Sequence, residues 1–595
     1  MLRRPLISTG VLMKNASFLV LMGIAVLSLV ISVRAEELSP AQKTLTVIAI
    51  TDFHGALEPE SVQTAKGDVV DVGGAALLAT YVNIIKEKAP GPSIVIDAGD
   101  LFQGTLESNL FEGAPVIKFY NHLEVAAAAL GNHEFDFGPV GEKSIPSTSK
   151  DDPRGALKKR IKQASFPFLA ANVFDDEGKA PSWLEPSVIL RKGGIRIGIV
   201  GAATPMTPSS THKANLTGLH FEKPALYVER EARLLREKHK VDVVILTFHG
   251  GGSCESNSVN KQDDLSSCRP GEEMFDLLEK LPEGLIDVAV GGHTHQGVAK
   301  RVGRTVVLQA YSRGQQVGWA EVPVSAPGAD QQMPRIVGFE PVCGKKVEGK
   351  FGPTCIKPIV KESTGPVLPA LFLGVEVSPD RATLKLINPD VSKVRKLKQQ
   401  PLGISALTPL TRAYRDESAL GNLTTDVMLA SVQGANVAVT NGGGLRADIA
   451  RGPLNYGHVF EVLPFDNRLA KIKASGAILK KMILAGHTSK GGNLSWSGLT
   501  FGAQGCDITN VEVGGKPLDL SATYIVASSD YLAMGGGGFD RLGIDPSDVE
   551  IFWNGPYILR DVVANTLAEW KRDLKAGDYF DPQAPRQRLS GACER

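Results

Sequence analysis

The residues Val125-Ala126-Ala127-Ala128-Ala129-Leu130-Gly131-Asn132-His133-Glu134-Phe135-Asp136 change character in a single step. The first half is an uncharged apolar run, the pattern of a buried strand; the second half delivers polar side chains directly at its carboxyl end. In α/β sheets that end is where ligands bind. Moving outward, the theme repeats. Leu45 to Ile50 is followed by Asp52-Phe53-His54, Ser93 to Ile96 by Gly99-Asp100, Val241 to Leu246 by His249-Gly250, and Ile286 to Val290 by Gly292-His293-Thr294-His295. Pro167 to Ala171 and Ile195 to Val200 are further apolar runs, and Ala75 to Lys88 carries a helical pattern. Strands spaced by helical segments predict an α/β sandwich with a largely buried sheet.

Each polar cluster alone means little, because short Asp-x-His or Gly-Asp pairs arise by chance. The set is more informative: five of the 11 histidines fall in these clusters, each after an apolar strand. Carboxylates and imidazoles in this mixture suit two divalent metals, which about 3.5–4 Å apart clamp the attacking and leaving oxygens of an in-line displacement at phosphorus. Asp100 has two oxygens and can bridge both ions, while imidazole nitrogen suits Zn, Mn, Co or Fe. Water held by such ions loses its proton far more readily than bulk water. His122, His212, His220, His239, His458 and His487 stand singly among helical or loop residues and read as ordinary side chains without ligand roles.

The order DxH, GD, GNHE, H, GHTH resembles that of the calcineurin-like metallophosphoesterases. The run from Ala129 to Asp136 is similar to the exported 5′-nucleotidase and UDP-sugar hydrolase branch. The resemblance implies that Asp52, His54, Asp100 and His295 hold one metal, and that Asp100, Asn132, His249 and His293 hold the other. It also implies that His133 contacts phosphate and protonates the leaving oxygen, with Asp136 orienting its ring. A His–Asp pair suits that role, since the carboxylate fixes the tautomer and supports the charged form.

Three segments of the C-terminal half extend the resemblance to about residues 45–590. They are Glu417-Ser418-Ala419-Leu420-Gly421-Asn422-Leu423, Asn441-Gly442-Gly443-Gly444-Leu445-Arg446 leading on to Leu463-Pro464-Phe465-Asp466-Asn467, and Tyr531-Leu532-Ala533-Met534-Gly535-Gly536-Gly537-Gly538-Phe539. Glycines after Asn441 let backbone approach a ligand, and Arg446 can pair with phosphate in a forked geometry. Phe465 and Tyr531 would suit two rings on the faces of a flat base, a contact worth about 1–3 kcal/mol per base. The alternative is that both rings are core residues and the glycines are turns. Asn467, Arg412 and Arg415 complete the candidate substrate contacts. Two departures stand out. Gly537 replaces the aspartate that the family uses toward the ribose hydroxyls, with Asp530 and Asp540 as nearby substitutes. Tyr414 replaces a family arginine, with Arg412 and Arg415 on either side.

The remaining features bound the reading. A chain of 595 residues exceeds what one core usually serves. Its 65 basic and 64 acidic residues balance to +1, which excludes the strongly basic footprint of a general nucleic-acid binder. Arg3, Arg4 and Lys14 precede an apolar run from Phe18 to Ile31 and a small-residue site ending at Ala35. That is the plan of a cleaved signal peptide over 1–35, the run being short for a membrane anchor. Six cysteines, at 254, 268, 343, 355, 506 and 593, read as three disulfides in an oxidising compartment, since no CxxC spacing suggests a zinc cluster. The division expected is a metallophosphoesterase domain over 45–340, a linker region over 341–400 with a charged helix from Val391 to Gln400, and an α+β nucleotide-binding domain over 401–595.

The function these features imply is that of a periplasmic or extracellular two-metal 5′-nucleotidase. Its partner would be a small nucleotide, with no nucleic acid polymer and no stable membrane association after cleavage. Other readings keep the metals and change the substrate: a 2′,3′-cyclic-nucleotide phosphodiesterase with 3′-nucleotidase activity, a UDP-sugar hydrolase, or a thiosulfohydrolase-type relative. A surface protein that binds nucleosides without catalysis is the remaining alternative.

Overall fold

The computed structural model describes residues 43–141, 143–146, 148–324, 332–350, 352–488, 494–553 and 557–590. Two six-stranded sheets stack face to face in the N-terminal half. In spatial order the first comprises Arg335–Pro341, Gln316–Val324, Lys43–Ile50, Ser93–Asp97, Val125–Ala129 and Phe168–Leu169. The second comprises Gly297–Val302, Thr305–Ala310, Val288–Gly291, Val243–His249, Ile195–Ala203 and Ser187–Lys192.

The central strands of both sheets run parallel to their neighbours. Their carboxyl ends therefore finish at one edge of the sandwich, and the polar clusters that follow them are brought together there. Val47, Ile96, Ala127, Ile197, Ile245 and Val290 fill the space between the sheets. Helices Ala75–Lys88 and Ala114–Leu123 cover the outer face of the first sheet, and Ala225–Arg233 and Glu273–Glu279 that of the second. This is the α/β sandwich expected from the apolar runs.

The C-terminal half is built on a mixed five-stranded sheet ordered Leu494–Ser497, Val437–Asn441, Thr523–Ser529, Leu469–Ser475 and Val549–Ile551. Helices Ala419–Ser431 and Leu559–Trp570 pack on one face and Gly476–Thr488 on the other, giving the expected α+β domain. The side chain of Ser418 accepts from the Gly421 amide and caps the first of these helices. Glu417 accepts from Asn422 and from the amides of Arg586 and Gln587. The Glu417–Asn422 segment thus pins a helix start to the chain's last strand.

The stretch between the two bodies is itself folded. Strands Lys345–Gly349, Gly352–Thr354 and Val367–Pro369 form a small sheet beside the Cys343–Cys355 disulfide. The expected charged helix begins at Arg381, not Val391, and ends at Lys398. Asp380 caps it by accepting from the Thr383 amide, and Ile387, Val391 and Val394 bury one face. That packing tolerates Pro389, whose missing N–H would otherwise mark a helix end. Cys254 pairs with Cys268 and Cys506 is also disulfide-bonded; Cys593 lies outside the described residues, as does the expected signal segment 1–35. Among the described residues no helix is long and apolar enough to cross a membrane.

Helix Arg381–Lys398 ends on a buried charge. Lys398 Nζ lies 2.6 Å from Glu107 Oε1, whose side chain is 2% exposed. Lys398→Met should cost about 1–3 kcal/mol, below the figure for a fully sequestered pair because Lys398 keeps access to water. Urea unfolding checks this, and adding Glu107→Gln should recover part of the loss.

Candidate active site

All seven residues expected as metal ligands meet at the carboxyl edge of the sandwich. Ligand atoms of Asp52, His54, Asp100 and His295 fall within 4.8 Å of one another, and so do those of Asp100, His249 and His293. Asp100 belongs to both groups, the position its two oxygens suit. Its Oδ2 is 3.7 Å from His54 Nε2 and 3.2 Å from His249 Nε2. Asn132 Oδ1 joins the second group, 2.9 Å from His249 Nε2.

Backbone conformation aims these side chains. Asp52, His54, Asp100, His293 and His295 all have φ between 48° and 75°. Non-glycine residues rarely adopt this region, and each instance costs on the order of 1–3 kcal/mol that the surroundings must offset. The surroundings here are hydrogen bonds between the loops. Asp52 N donates to Gly99 O, His54 N to Asp100 O and Gly55 N to Leu101 O, at 2.9–3.1 Å, while His293 N donates to the Asp52 carboxylate. Glu134 Oε2 accepts from the amides of Asp100 and Gly131, and Oε1 from that of Leu101. A methyl on Gly131 would overlap Asp100 and the Glu134 carboxylate. Glu134 is therefore the clip that joins the GD and GNHE segments, a role that the motif order did not express.

Two of the imidazoles are oriented by their second nitrogens. His54 Nδ1 is 2.7 Å from Gln103 O and His249 Nδ1 is 2.7 Å from Ala98 O. Carbonyls only accept, so Nδ1 carries hydrogen in both rings and Nε2 is the atom turned to the cluster. Burial holds His54 and His295 well below the ordinary histidine range and His293 down to about 3, so these three are neutral and ready to ligate. His249 differs. Burial alone would lower it, but the adjacent Asp100 carboxylate pushes it up to about 10. Two buried carboxylates among four imidazoles, with their ligand atoms converging, fit divalent cations.

Beside the cluster, His133 Nδ1 lies 2.6 Å from Asp136 Oδ2. Burial depresses the His133 pKa, but the charges of Asp136 and Asp100 outweigh it and the net direction is upward. Phe465 of the C-terminal domain stacks on the His133 ring, with centroids 5.6 Å apart, and the Arg446 guanidinium sits 5.9 Å from the Phe465 ring. Gln103 and Asn109 both donate to Pro464 O, which ties the C-terminal domain to the metal loops. Asn441, Phe465 and Asn467 line one small depression.

The other expected substrate contacts are placed unequally. Arg412, Tyr414 and Arg415 are all exposed, but Arg412 donates to Leu445 O and its charge acts on Arg446. Tyr531 makes no ring contact with Phe465 among the described residues; its hydroxyl donates to Ser209 O, and its ring faces His212. Gly537 has φ 61°, Asp530 is fully buried, and Asp540 pairs with Lys213 at 2.6 Å. Two residues passed over in the sequence also stand here. Arg313 donates its amide to Asp52 O, and its positive charge acts on that of Arg446. His212, read as an ordinary residue, is in neither metal group but reaches Asn467 across the cleft at 3.2 Å. No motif surrounds either residue, so only proximity reveals them.

Sandwich, ligand set and His–Asp pair together define a two-metal phosphoesterase centre capped by a second domain. Residues 45–297 match the model of calcineurin-like phosphoesterases, and residues 396–543 match that of the 5′-nucleotidase C-terminal domain. The chain belongs to the 5′-nucleotidase and UDP-sugar hydrolase family and is a metal-dependent phosphoester hydrolase. It is 25% identical over 548 residues to the protein UshA of Yersinia enterocolitica, covering 87% of this chain and 90% of the relative. It is likewise 25% identical over 573 residues to a 5′-nucleotidase of Vibrio cholerae, covering 90% and 94%. The crystal structure of a 5′-nucleotidase precursor from Thermus thermophilus superposes with a TM-score of 0.69 at 26% identity, covering 92% of this chain and 99% of that one.

Metal analysis of the purified protein should find about two divalent ions per chain, the number a phosphoryl clamp uses. Asp100→Ala should abolish binding of both. Glu134→Gln should keep the ligands but weaken metal affinity about 10–100-fold, as loss of a supporting hydrogen-bond partner does; competition with a chromogenic chelator checks it.

Proposed function

We propose that the substrate is a nucleoside 5′-monophosphate, hydrolysed to nucleoside and phosphate outside the cytoplasm. The observation that carries this reading is the closeness of Phe465 and Arg446 to His133: an aromatic face and a guanidinium from the second domain stand directly at the phosphoester centre. A bare phosphatase centre has no need of the aromatic face. Two divalent ions bound by the seven ligands would polarise the phosphoryl oxygens and acidify a water molecule.

The chain's own residues then divide the remaining work. Arg446, with the charge of Arg412 acting beside it, pairs with phosphoryl oxygens, and Phe465, Asn441 and Asn467 receive the nucleoside, with Tyr531 as a second ring. His133, kept charged by Asp136, gives its Nε2 proton to the leaving 5′-oxygen. Paired cysteines support export, since disulfides persist in oxidising compartments. The divisions 45–340, 341–400 and 401–595 are the working domain limits. A second reading is favoured by Gly537: without the family's aspartate the site discriminates less for ribose hydroxyls, which leaves 2′,3′-cyclic nucleotides and UDP-sugars as competing substrates.

Phosphate release from AMP, from 2′,3′-cyclic AMP and from UDP-glucose, with Mn or Co restored after chelation, tests the reading. The expected order places AMP first, and no release from any nucleoside monophosphate overturns it. His133→Ala should lower kcat for AMP by about 10²–10⁴.

A further inference from the structure

Residues 209–213 touch both the His–Asp pair and the second domain. Thr211, 3% exposed, donates its hydroxyl to Asp136 Oδ1 at 2.6 Å, while Asp136 Oδ2 holds His133 Nδ1 at the same distance. The residues flanking Thr211 face the C-terminal domain. Ser209 O accepts from the Tyr531 hydroxyl at 2.8 Å, His212 Nε2 lies 3.2 Å from Asn467 Oδ1, and Lys213 Nζ lies 2.6 Å from Asp540 Oδ2. Five residues therefore carry three contacts to one domain and one contact to the proton-donating pair of the other.

We infer that this strap couples seating of the C-terminal domain to the alignment of His133, with Thr211 as the positioning residue that fixes the Asp136 carboxylate. The inference rests on His133 being the proton donor. The chemistry balances simply. As the bond from phosphorus to the leaving oxygen breaks, the Nε2 proton moves to that oxygen, and the ring is left neutral with Nδ1–H still on Asp136. A carboxylate held at one oxygen by Thr211 presents the other at a set angle to the ring. Without the hydroxyl, Asp136 can rotate and the ring loses its aim. With the C-terminal domain withdrawn, Ser209, His212 and Lys213 lose their partners, and the backbone that presents Thr211 is released.

The diagnostic is the leaving group. 2,4-Dinitrophenyl phosphate needs no proton on departure, whereas phenyl phosphate does, and neither depends on a nucleoside pocket. In single-turnover measurements Thr211→Val should slow phenyl phosphate about tenfold or more, while 2,4-dinitrophenyl phosphate stays within about twofold. Thr211→Ser, which keeps the hydroxyl, should restore the rate. The double variant His212→Ala with Lys213→Ala should show the same selective loss. Equal losses on both substrates, or no rescue by serine, overturn the positioning role of Thr211, and a uniform loss in the double variant overturns the coupling. His133→Ala separates the two levels. If it lacks leaving-group selectivity, the proton-donor assignment fails; if it has selectivity and Thr211→Val does not, only the strap fails.

Discussion

The burial of Asp100 is the constraint on which the rest depends. An isolated carboxylate at 1% exposure would be intolerable, and its environment answers by surrounding it with groups that favour its charge. His249 and His54 face its Oδ2, and the His133 amide donates to its Oδ1. Their influence holds the Asp100 carboxyl well below the ordinary range despite burial. The same convergence that makes the charge tolerable makes the site a cation receptor, since each neighbour offers a lone pair or fixes one.

Holding so many polar groups inward requires local strain, and the loops supply the restraint. Five of the ligands sit in left-handed backbone, and the bonds that lace residues 52–55 to 99–101 hold them there. Glu134 extends the lacing to the third loop. Such a site is held by its own backbone: the loop hydrogen bonds aim the ligands, and the cost is distributed over the stacked sheets that anchor the loops. The second domain adds what a rigid sandwich lacks. Phe465 and Arg446 come to the ligand cluster from the C-terminal half, so that on the proposed reading one domain supplies substrate recognition to the chemistry of the other.

Much of this was legible in the sequence because strands and polar clusters follow local rules. Apolar runs ending in Asp, Asn or His marked both the sheets and the ligands, and helix Ala75–Lys88 was readable from its apolar spacing alone. The helix at Arg381–Lys398 was only half visible, because Pro389 argues locally against continuation while burial of Ile387 and Val391 overrides it. Thr211 and Asp136 are 75 residues apart, and an isolated threonine in a loop has no pattern to betray a partner at that distance. Arg313 and His212 were invisible for the same reason.

The sequence by itself determined the chemistry on offer: which side chains can ligate, which His and Asp can pair, and that both lie at strand ends. Those properties reside in residue types and short spacings. Only the tertiary structure decided which groups share a cavity and which merely resemble ligands. It anchored Arg412 on Leu445 O, turned the Tyr531 hydroxyl toward Ser209, and made Glu134 a structural clip. The physical reason is that hydrogen bonds and charge interactions act over a few ångströms of space, a separation that sequence distance does not encode.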